Sequence, residues 1–500
     1  MLKQRFSQFF LRNTSEWKFW VLFALVCKGL FFIFLISRQW WDNHYPGFWG
    51  VDAGDTGSYT VPIQNLIANG NYSPDFRMPG YGAIYLPFAL FFSNPVAYNC
   101  LIVCQFILAS LTVYPLALIA KYVFKSTSLF YLTFYLFAFN IYSNLFDSTL
   151  LTESFAVSFL ILSVFFLIKA FENESKRNIN LLLSGLFLTE VIFLRPVFIP
   201  LLLLFSIVLV VYLFKNNLGK QSIAKVLLFL LPFLIIDGAW VTRNFIKYNR
   251  IIPATPALYY PSFGNSYYVP LYELVRSWGG SDQHWDPDAE IRWFGMNDGL
   301  QPELHNVKVS LPENIYTSIF NYDSLVVLKQ QLAVYIANES DFVKVHSSEM
   351  KALLETIRNK CFLYAKSVRQ ERPFLFYLIA PLKRTKVFLI HSGTYNMFTT
   401  LTSKLDPISY GTKVFFSLLY LSMIGLGLLG IILLIKKSIL FSPLTLITGI
   451  VFYTIFIHPI YFGMCEKRYF LPAYPFLLIC AAYIVNSIWT SVSKRLFRTA

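Results

Sequence analysis

A chain of 500 residues that is 56% hydrophobic, 18% aromatic and only 14% charged is not an ordinary soluble protein, in which roughly a quarter of residues carry charge. The formal net charge of +15 does not call for a nucleic-acid partner. The excess Lys and Arg sits largely in short loops and at both ends, as the positive-inside bias predicts, where it also suits anionic membrane lipids.

Apolar runs of about 20 residues recur, each long enough to cross a bilayer as a helix. Lys3, Arg5, Arg12 and Lys18 place the N-terminus in the cytoplasm. The first run, 17–36, lacks a small-residue cleavage site and reads as a retained transmembrane helix. Residues 38–80 then form a first outer loop. The piece 81–92 is short and interrupted by Pro87, and reads as re-entrant or interfacial. The run 97–120 returns to Lys121 and Lys125 on the inside. The alternation continues through 129–142, 155–170, 181–194, 198–214 and 226–240. A long hydrophilic stretch follows, with a helical pattern over 349–366 and length enough for a small outer domain. The piece 374–390 is broken by Pro381, Lys383, Arg384 and Lys386 and reads as interfacial. The last spans are 414–435, 441–457 and 470–488.

The expected fold is an all-α polytopic membrane protein with about ten transmembrane helices, juxtamembrane helices and a mostly helical outer domain. Its expected divisions are a transmembrane module over 1–242, an outer domain over 243–410 and C-terminal helices over 411–500. Both termini are expected in the cytoplasm, in a bacterial inner membrane with the site facing the periplasm. Cys27, Cys100, Cys104, Cys361, Cys465 and Cys480 show no metal-ligand spacing. Cys100 and Cys104, one helical turn apart, read as buried packing residues, and no disulfide framework is expected. His284, His305, His346 and His391 are scattered. Glu190 and Asp237 lie in or near spans and are expected to pair internally.

On this topology the notable polar residues fall at the outer boundary. They are Asp52, Asp55, Arg77, Glu153, Arg195, Arg243, Asn244, His458, Glu466 and Arg468. Ionisable groups at that depth point to function. The planar fork of arginine suits phosphate oxygens, and a carboxylate within reach takes a proton from an attacking hydroxyl.

Several segments resemble one family. Asp55-Thr56-Gly57-Ser58-Tyr59 and Arg77-Met78-Pro79-Gly80-Tyr81 resemble the first outer loop of GT-C fold glycosyltransferases. These are the polyprenyl-phosphate-sugar-dependent enzymes related to aminoarabinose lipid A transferase and protein O-mannosyltransferase. Thr152-Glu153 resembles their second outer-loop acidic position, and Leu194-Arg195-Pro196 their Arg-Pro at a helix end. Trp240-Val241-Thr242-Arg243-Asn244-Phe245 resembles a Trp-x-x-Arg-Asn-aromatic element. The segment from Glu466 through Arg468-Tyr469 to Pro475 resembles the entry to a late helix. One departure is that the chain ends soon after that helix, without the separate soluble C-terminal domain of some relatives.

The resemblance implies transfer of a single sugar from a polyprenyl-phosphate donor to an extracytoplasmic lipid, glycan or protein acceptor, with inversion. Asp55 is implied as the base, with Asp52 as its competitor. Arg243, Arg468 and Arg195 are implied to hold the lipid phosphate, assisted by Lys247, and Glu153 to position the acceptor or support an arginine. Tyr59, Arg77, Asn244, His458, Glu466 and Tyr469 complete the candidate binding set. No cofactor is implied, and a divalent metal is left open. Trp278, Trp285 and Trp293 are candidate sugar-stacking faces.

Plainer readings stand beside these. Asp52 and Asp55 before Thr-Gly-Ser suit turn capping, the arginines suit interfacial anchoring, His458 suits core packing, and the tryptophans suit a folded loop core. The rival functions are a lipid-linked sugar flippase or other transporter, which favours charges deep within spans and repeated halves, a polysaccharide polymerase or ligase, and a non-catalytic scaffold.

Overall fold

A computed structural model describes residues 13–37, 47–52, 54–74, 77–255, 266–283, 288–295, 310–339, 341–394, 397, 402–437 and 442–496. Apart from an isolated bridge between Val51 and Thr149, these residues contain helices and loops and no strand. In lipid every backbone N–H and C=O must be satisfied within the segment, and the helix does this. Nine of the described helices are long and apolar enough to cross a membrane, or ten if one bent pair counts as a single span. The chain is an integral, multi-pass, all-α membrane protein.

The chain divides into two compact units. The first comprises Met1–Ala257, His391–Tyr453 and Phe470–Ala500. It begins with α1 (Trp17–Ser37), α2 (Thr56–Asn69), α3 (Gly80–Phe91) and α4 (Asn94–Phe124). α3 has 12 residues and rises only about 18 Å, too little to span. α5 (Thr127–Ala138) meets Ile141–Ser148 at a 46° bend, and the second arm opens with the four-residue α6 (Ile141–Asn144). α7 (Glu153–Glu172), α8 (Arg177–Leu194), α9 (Pro200–Lys215) and α10 (Ser222–Tyr248) follow. α15 (Pro407–Lys437) packs on α17 (Tyr474–Leu496), and α17 on α5. α16 (Pro443–Ile455) begins in this unit, and its last residues belong to the second.

α1 shows an exposed apolar face on one side and packs against its neighbours on the other, whereas α7 is enclosed along nearly all of its length. On α1, Leu22, Val26, Leu30 and Ile33 are exposed at helical spacing, while Trp20, Ala24, Cys27, Lys28 and Leu35 are buried. A lysine on the buried face of an apolar helix needs a partner, and α1 packs on α4 and on residues 145–148. The six cysteines are free; Cys100 and Cys104, expected to be buried, are half-buried. Asp237 is buried and accepts the Ala254 N–H at 2.7 Å. Among the described residues Glu190 makes no ion pair or hydrogen bond, so the expected internal pairing is met only by Asp237, and by a backbone amide.

The second unit comprises Leu258–Ile390 and Thr454–Tyr469. Its helices are α11 (Tyr268–Ser277), α12 (Tyr322–Asn338), α13 (Ser348–Glu371) and α14 (Ala380–Leu389), the last preceded by a π-helical turn over Leu375–Ile379. α13 starts where the sequence places it, because the Ser347 side chain accepts the Met350 N–H and satisfies an orphan donor of the first turn. Its core joins Leu271, Leu274 and Trp278 to Phe320, Leu325, Leu328, Ile357, Cys361 and Val368.

Candidate functional site

The first unit gathers its polar side chains around α2. Asp55 caps the helix by position only, since its carboxylate makes no cap hydrogen bond. The carboxylate instead meets Arg77, whose Nη2 lies 2.5 Å from Oδ1, with both side chains 30% exposed. Arg77 Nε donates to Ser58 Oγ at 3.0 Å, and that hydroxyl donates to the Asp55 carbonyl at 2.6 Å. The guanidinium also lies 4.8 Å above the Tyr59 ring, within cation–π range. Helix capping therefore does not account for the Asp55 side chain, and solvation at a lipid surface does not account for Arg77.

A second pair lies beside the first. Glu153 is the first residue of α7, 2% exposed, and Arg195 Nη1 donates to its Oε1 at 2.7 Å. A carboxylate in the first turn of a helix is favoured by the helix dipole, and Arg195 caps the end of α8. Tyr59 joins the two pairs. Burial pushes its hydroxyl above its ordinary pKa, the nearby Arg77 and Arg195 lower it, and Glu153 and Asp55 raise it.

Glycine makes this assembly possible. A Cβ on Gly80 would lie 2.7 Å from the Phe193 carbonyl, so only a glycine lets the Arg77–Tyr81 segment back onto the end of α8, next to Arg195. A Cβ on Gly50 would lie 2.4 Å from the Ser148 carbonyl oxygen. That contact allows Val51 N–H to donate to Ser148 O at 2.8 Å and Leu150 N–H to Val51 O at 3.0 Å. Thr56 Oγ1 donates to Leu150 O at 3.1 Å. The segment entering α2 is thereby pinned to the segment entering α7.

Two more predicted residues reach the same loop from α10, and a third, Asn244, supports one of them. Arg243 Nη2 donates to the Tyr72 carbonyl at 3.0 Å and Nη1 to Asn244 Oδ1 at 2.8 Å. Lys247 donates to Ser73 Oγ. Arg243 stands 5.0 Å from the Trp240 ring and 5.4 Å from that of Tyr248. Asn244 is fully buried, and its Nδ2 has no partner among the described residues. Burial pushes the Tyr72 hydroxyl up to about 12, against the opposing pull of Arg243. Asp52 is half-buried and makes no ion pair or hydrogen bond with the described residues.

No protein-family model matches this chain, and no curated protein is detectably similar to it in sequence.

His458, Glu466, Arg468 and Tyr469 belong to the second unit. His458 is buried between the rings of Phe388 and Tyr469, at 5.9 and 5.0 Å. Arg468 pairs with Glu466 and lies 5.6 Å from the Tyr469 ring. Trp278 is fully buried in the unit's core, which removes it as a sugar-stacking face. Trp293 is partly buried against that core under Lys329, 4.5 Å away, and Trp285 lies outside the described residues. Among the described residues no group of three His, Cys, Asp or Glu side chains is placed to hold a metal ion.

The sequence reading missed two polar clusters. In the first unit Lys28 pairs with Asp147 at 2.8 Å, both deeply buried. The signal was present as a lone lysine in the middle of a 21-residue apolar helix. In the second unit Arg276 pairs with Asp282. The buried Arg384 donates to the Pro459 carbonyl at 2.8 Å and to the Arg276 carbonyl. Burial brings the Arg384 guanidinium down to about 10.

Proposed function

We propose that this protein is a membrane glycosyltransferase of the GT-C type. In this reading it moves one sugar from a polyprenyl-phosphate donor to an extracytoplasmic lipid, glycan or protein acceptor, with inversion at the anomeric carbon. The observation that carries the reading is the meeting of Asp55–Arg77 and Glu153–Arg195 around Tyr59, with Arg243 and Lys247 on the same loop. These are the residues the family resemblance selects, drawn from segments far apart in the chain.

The chemistry divides as follows. The acceptor hydroxyl gives its proton to Asp55 as its oxygen bonds to the anomeric carbon, and the bond from that carbon to the phosphate oxygen breaks. The departing polyprenyl phosphate gains charge, which Arg243 and Lys247 stabilise. Glu153 holds Arg195 in place beside the acceptor. The reading sets the site on the periplasmic side of a bacterial inner membrane.

The test is transfer from a panel of polyprenyl-phosphate sugars by the purified protein and its Asp55→Asn variant. Loss of a general base costs about 10²–10⁴-fold, so the variant is expected to fold, bind donor and lose at least about a hundredfold in kcat. Near-normal turnover would remove Asp55 as the base.

A second reading, a lipid-linked sugar transporter, is favoured by the buried Lys28–Asp147 pair beside the bent span Thr127–Ala138 with Ile141–Ser148. Broken helices and buried charge are features of transporters. Movement of labelled lipid-sugar across a proteoliposome without any transfer would put that reading first.

A further inference from the structure

The Lys28–Asp147 pair lies where both carboxylate-bearing segments are anchored. Lys28 stands nine residues before Ser37, the end of α1, a drop of about 13 Å along the helix axis. Its Nζ donates to Asp147 Oδ2 at 2.8 Å and to Asn144 Oδ1. A second helix gives an independent ruler. Gln105, eleven residues into α4, donates to the Thr149 carbonyl at 2.9 Å and more weakly to those of Phe146 and Asp147. Two spanning helices thus hold segment 144–149 well inside their ends, nine residues from the end of α1 and eleven from the start of α4.

Asp147 also connects to both candidate carboxylates. Its Oδ1 accepts the Ser154 hydroxyl at 2.7 Å, and Ser154 follows Glu153. The residue after Asp147, Ser148, receives the Val51 N–H, four residues before Asp55. Gln105 Oε1 accepts the Tyr81 hydroxyl at 2.9 Å, and the Tyr81 ring lies 5.2 Å from that of Tyr59. Packing alone would be served by an apolar residue at position 28. A buried lysine that satisfies an asparagine and an aspartate fixes a register, because a slip by one residue would strand its charge in an apolar setting.

We propose that Lys28 and Asp147 are positioning residues for the candidate site. The pair pins segment 144–154 against the inner part of α1 and so sets where Asp55 and Glu153 stand relative to each other. The proposal rests on the glycosyltransferase reading for its kinetic consequence, but the register it describes is measurable without turnover.

The experiment compares wild type, Lys28→Met, Lys28→Met/Asp147→Leu and Ser154→Ala in detergent-purified full-length protein. Register is read by introducing Val51→Cys and Thr149→Cys into each and scoring the 51–149 peptide cross-link with a short bismaleimide by mass spectrometry, which separates it from the free native cysteines. In the double apolar variant no buried charge is left unpaired, so its apparent Tm is expected within a few degrees of wild type. Its 51–149 cross-link is expected to fall at least fivefold, and its kcat at least tenfold with donor KM within twofold. Ser154→Ala, which removes one hydroxyl, is expected to lower kcat three- to tenfold at unchanged KM. A double variant that keeps both cross-link and kcat overturns the proposal. If that variant does not fold, an unchanged kcat in Ser154→Ala overturns it. If wild type transfers no sugar, the reading of the site fails by itself and the cross-link decides the pin: loss in Lys28→Met supports it, and retention overturns it.

Discussion

The first unit pairs Asp55 with Arg77, and the second pairs Asp282 with Arg276. The chemistry is the same and the settings are opposite. Both Asp55 and Arg77 are 30% exposed, and the arginine is shared with a serine hydroxyl and an aromatic face. Asp282 is 3% exposed. Its two oxygens are occupied by Arg276 Nε at 2.7 Å, Gln283 Nε2 at 2.7 Å and the Cys465 thiol at 3.6 Å. The first pair stands where solvent reaches its members. The second has its carboxylate enclosed, and the Arg276 carbonyl and the Pro459 carbonyl are bridged by Arg384, which ties α11 to the segment around Pro459. Net stabilisation from a pair as exposed as the first is about 0–1 kcal/mol, whereas removing one partner of a buried pair costs about 3–5 kcal/mol. Exposure therefore separates a pair that solvent reaches from a pair that folding depends on.

The contrast is broken most directly at Asp282. Asp282→Asn leaves Arg276 and Arg384 adjacent without their carboxylate, and an apparent stability loss of about 3–5 kcal/mol is expected in thermal unfolding of the detergent-solubilised protein. A loss no greater than that of Asp55→Asn would erase the distinction. Glu153→Gln falls on the buried side of the contrast. Its pair with Arg195 is at 2% and 10% exposure, so a stability loss of about 3–5 kcal/mol should accompany a fall in transfer; a fall in transfer with no loss of stability would make Glu153 a reacting group. Asp52→Asn is expected to change neither, because its carboxylate makes no hydrogen bond or ion pair with the described residues. A turnover loss matching that of Asp55→Asn would return Asp52 to the position of base.

The spans were legible because lipid imposes a long apolar run on each of them, and the non-spanning piece at α3 was legible from its length and Pro87. The polar residues near Asp55 were legible from short motifs, and their pairing was not. Nothing in the spacing says that Arg77 reaches Asp55 or that Arg195 reaches Glu153, because those meetings depend on Gly80 backing onto Phe193 and Gly50 onto Ser148. Trp278 was open between a stacking face and a loop core because an aromatic residue in a hydrophilic stretch serves equally as either, and only the surrounding Leu271, Leu274 and Phe320 decide. Lys28 was passed over although a lone charge at mid-span is itself a signal. Arg384 was counted with Lys383 and Lys386 as a break in an apolar run, since the exposed Lys386 and the buried guanidinium of Arg384 look alike in sequence.

The smallest expected effect is read at a cysteine beside the second pair. Cys465 is buried beside Asp282, and its thiol is pushed up to about 12. Burial is the main cause and the Asp282 charge adds to it, while Arg276 and Arg384 oppose them. The thiolate is the reactive form, so at pH 8 only about one molecule in 10⁴ would carry it. Two neighbouring guanidiniums would ordinarily activate a cysteine; here exclusion of water and the carboxylate outweigh them. Cys465 is therefore expected to resist maleimide in the folded protein at pH 8 and to label fully after denaturation, scored by peptide mass spectrometry. Asp282→Asn removes the neighbouring negative charge and leaves the two cations, so in whatever fraction stays folded Cys465 should label faster. Rapid labelling of wild type would mean that the cluster opens to solvent, and Asp282–Arg276 would then have to be judged as a second exchangeable pair like Asp55–Arg77.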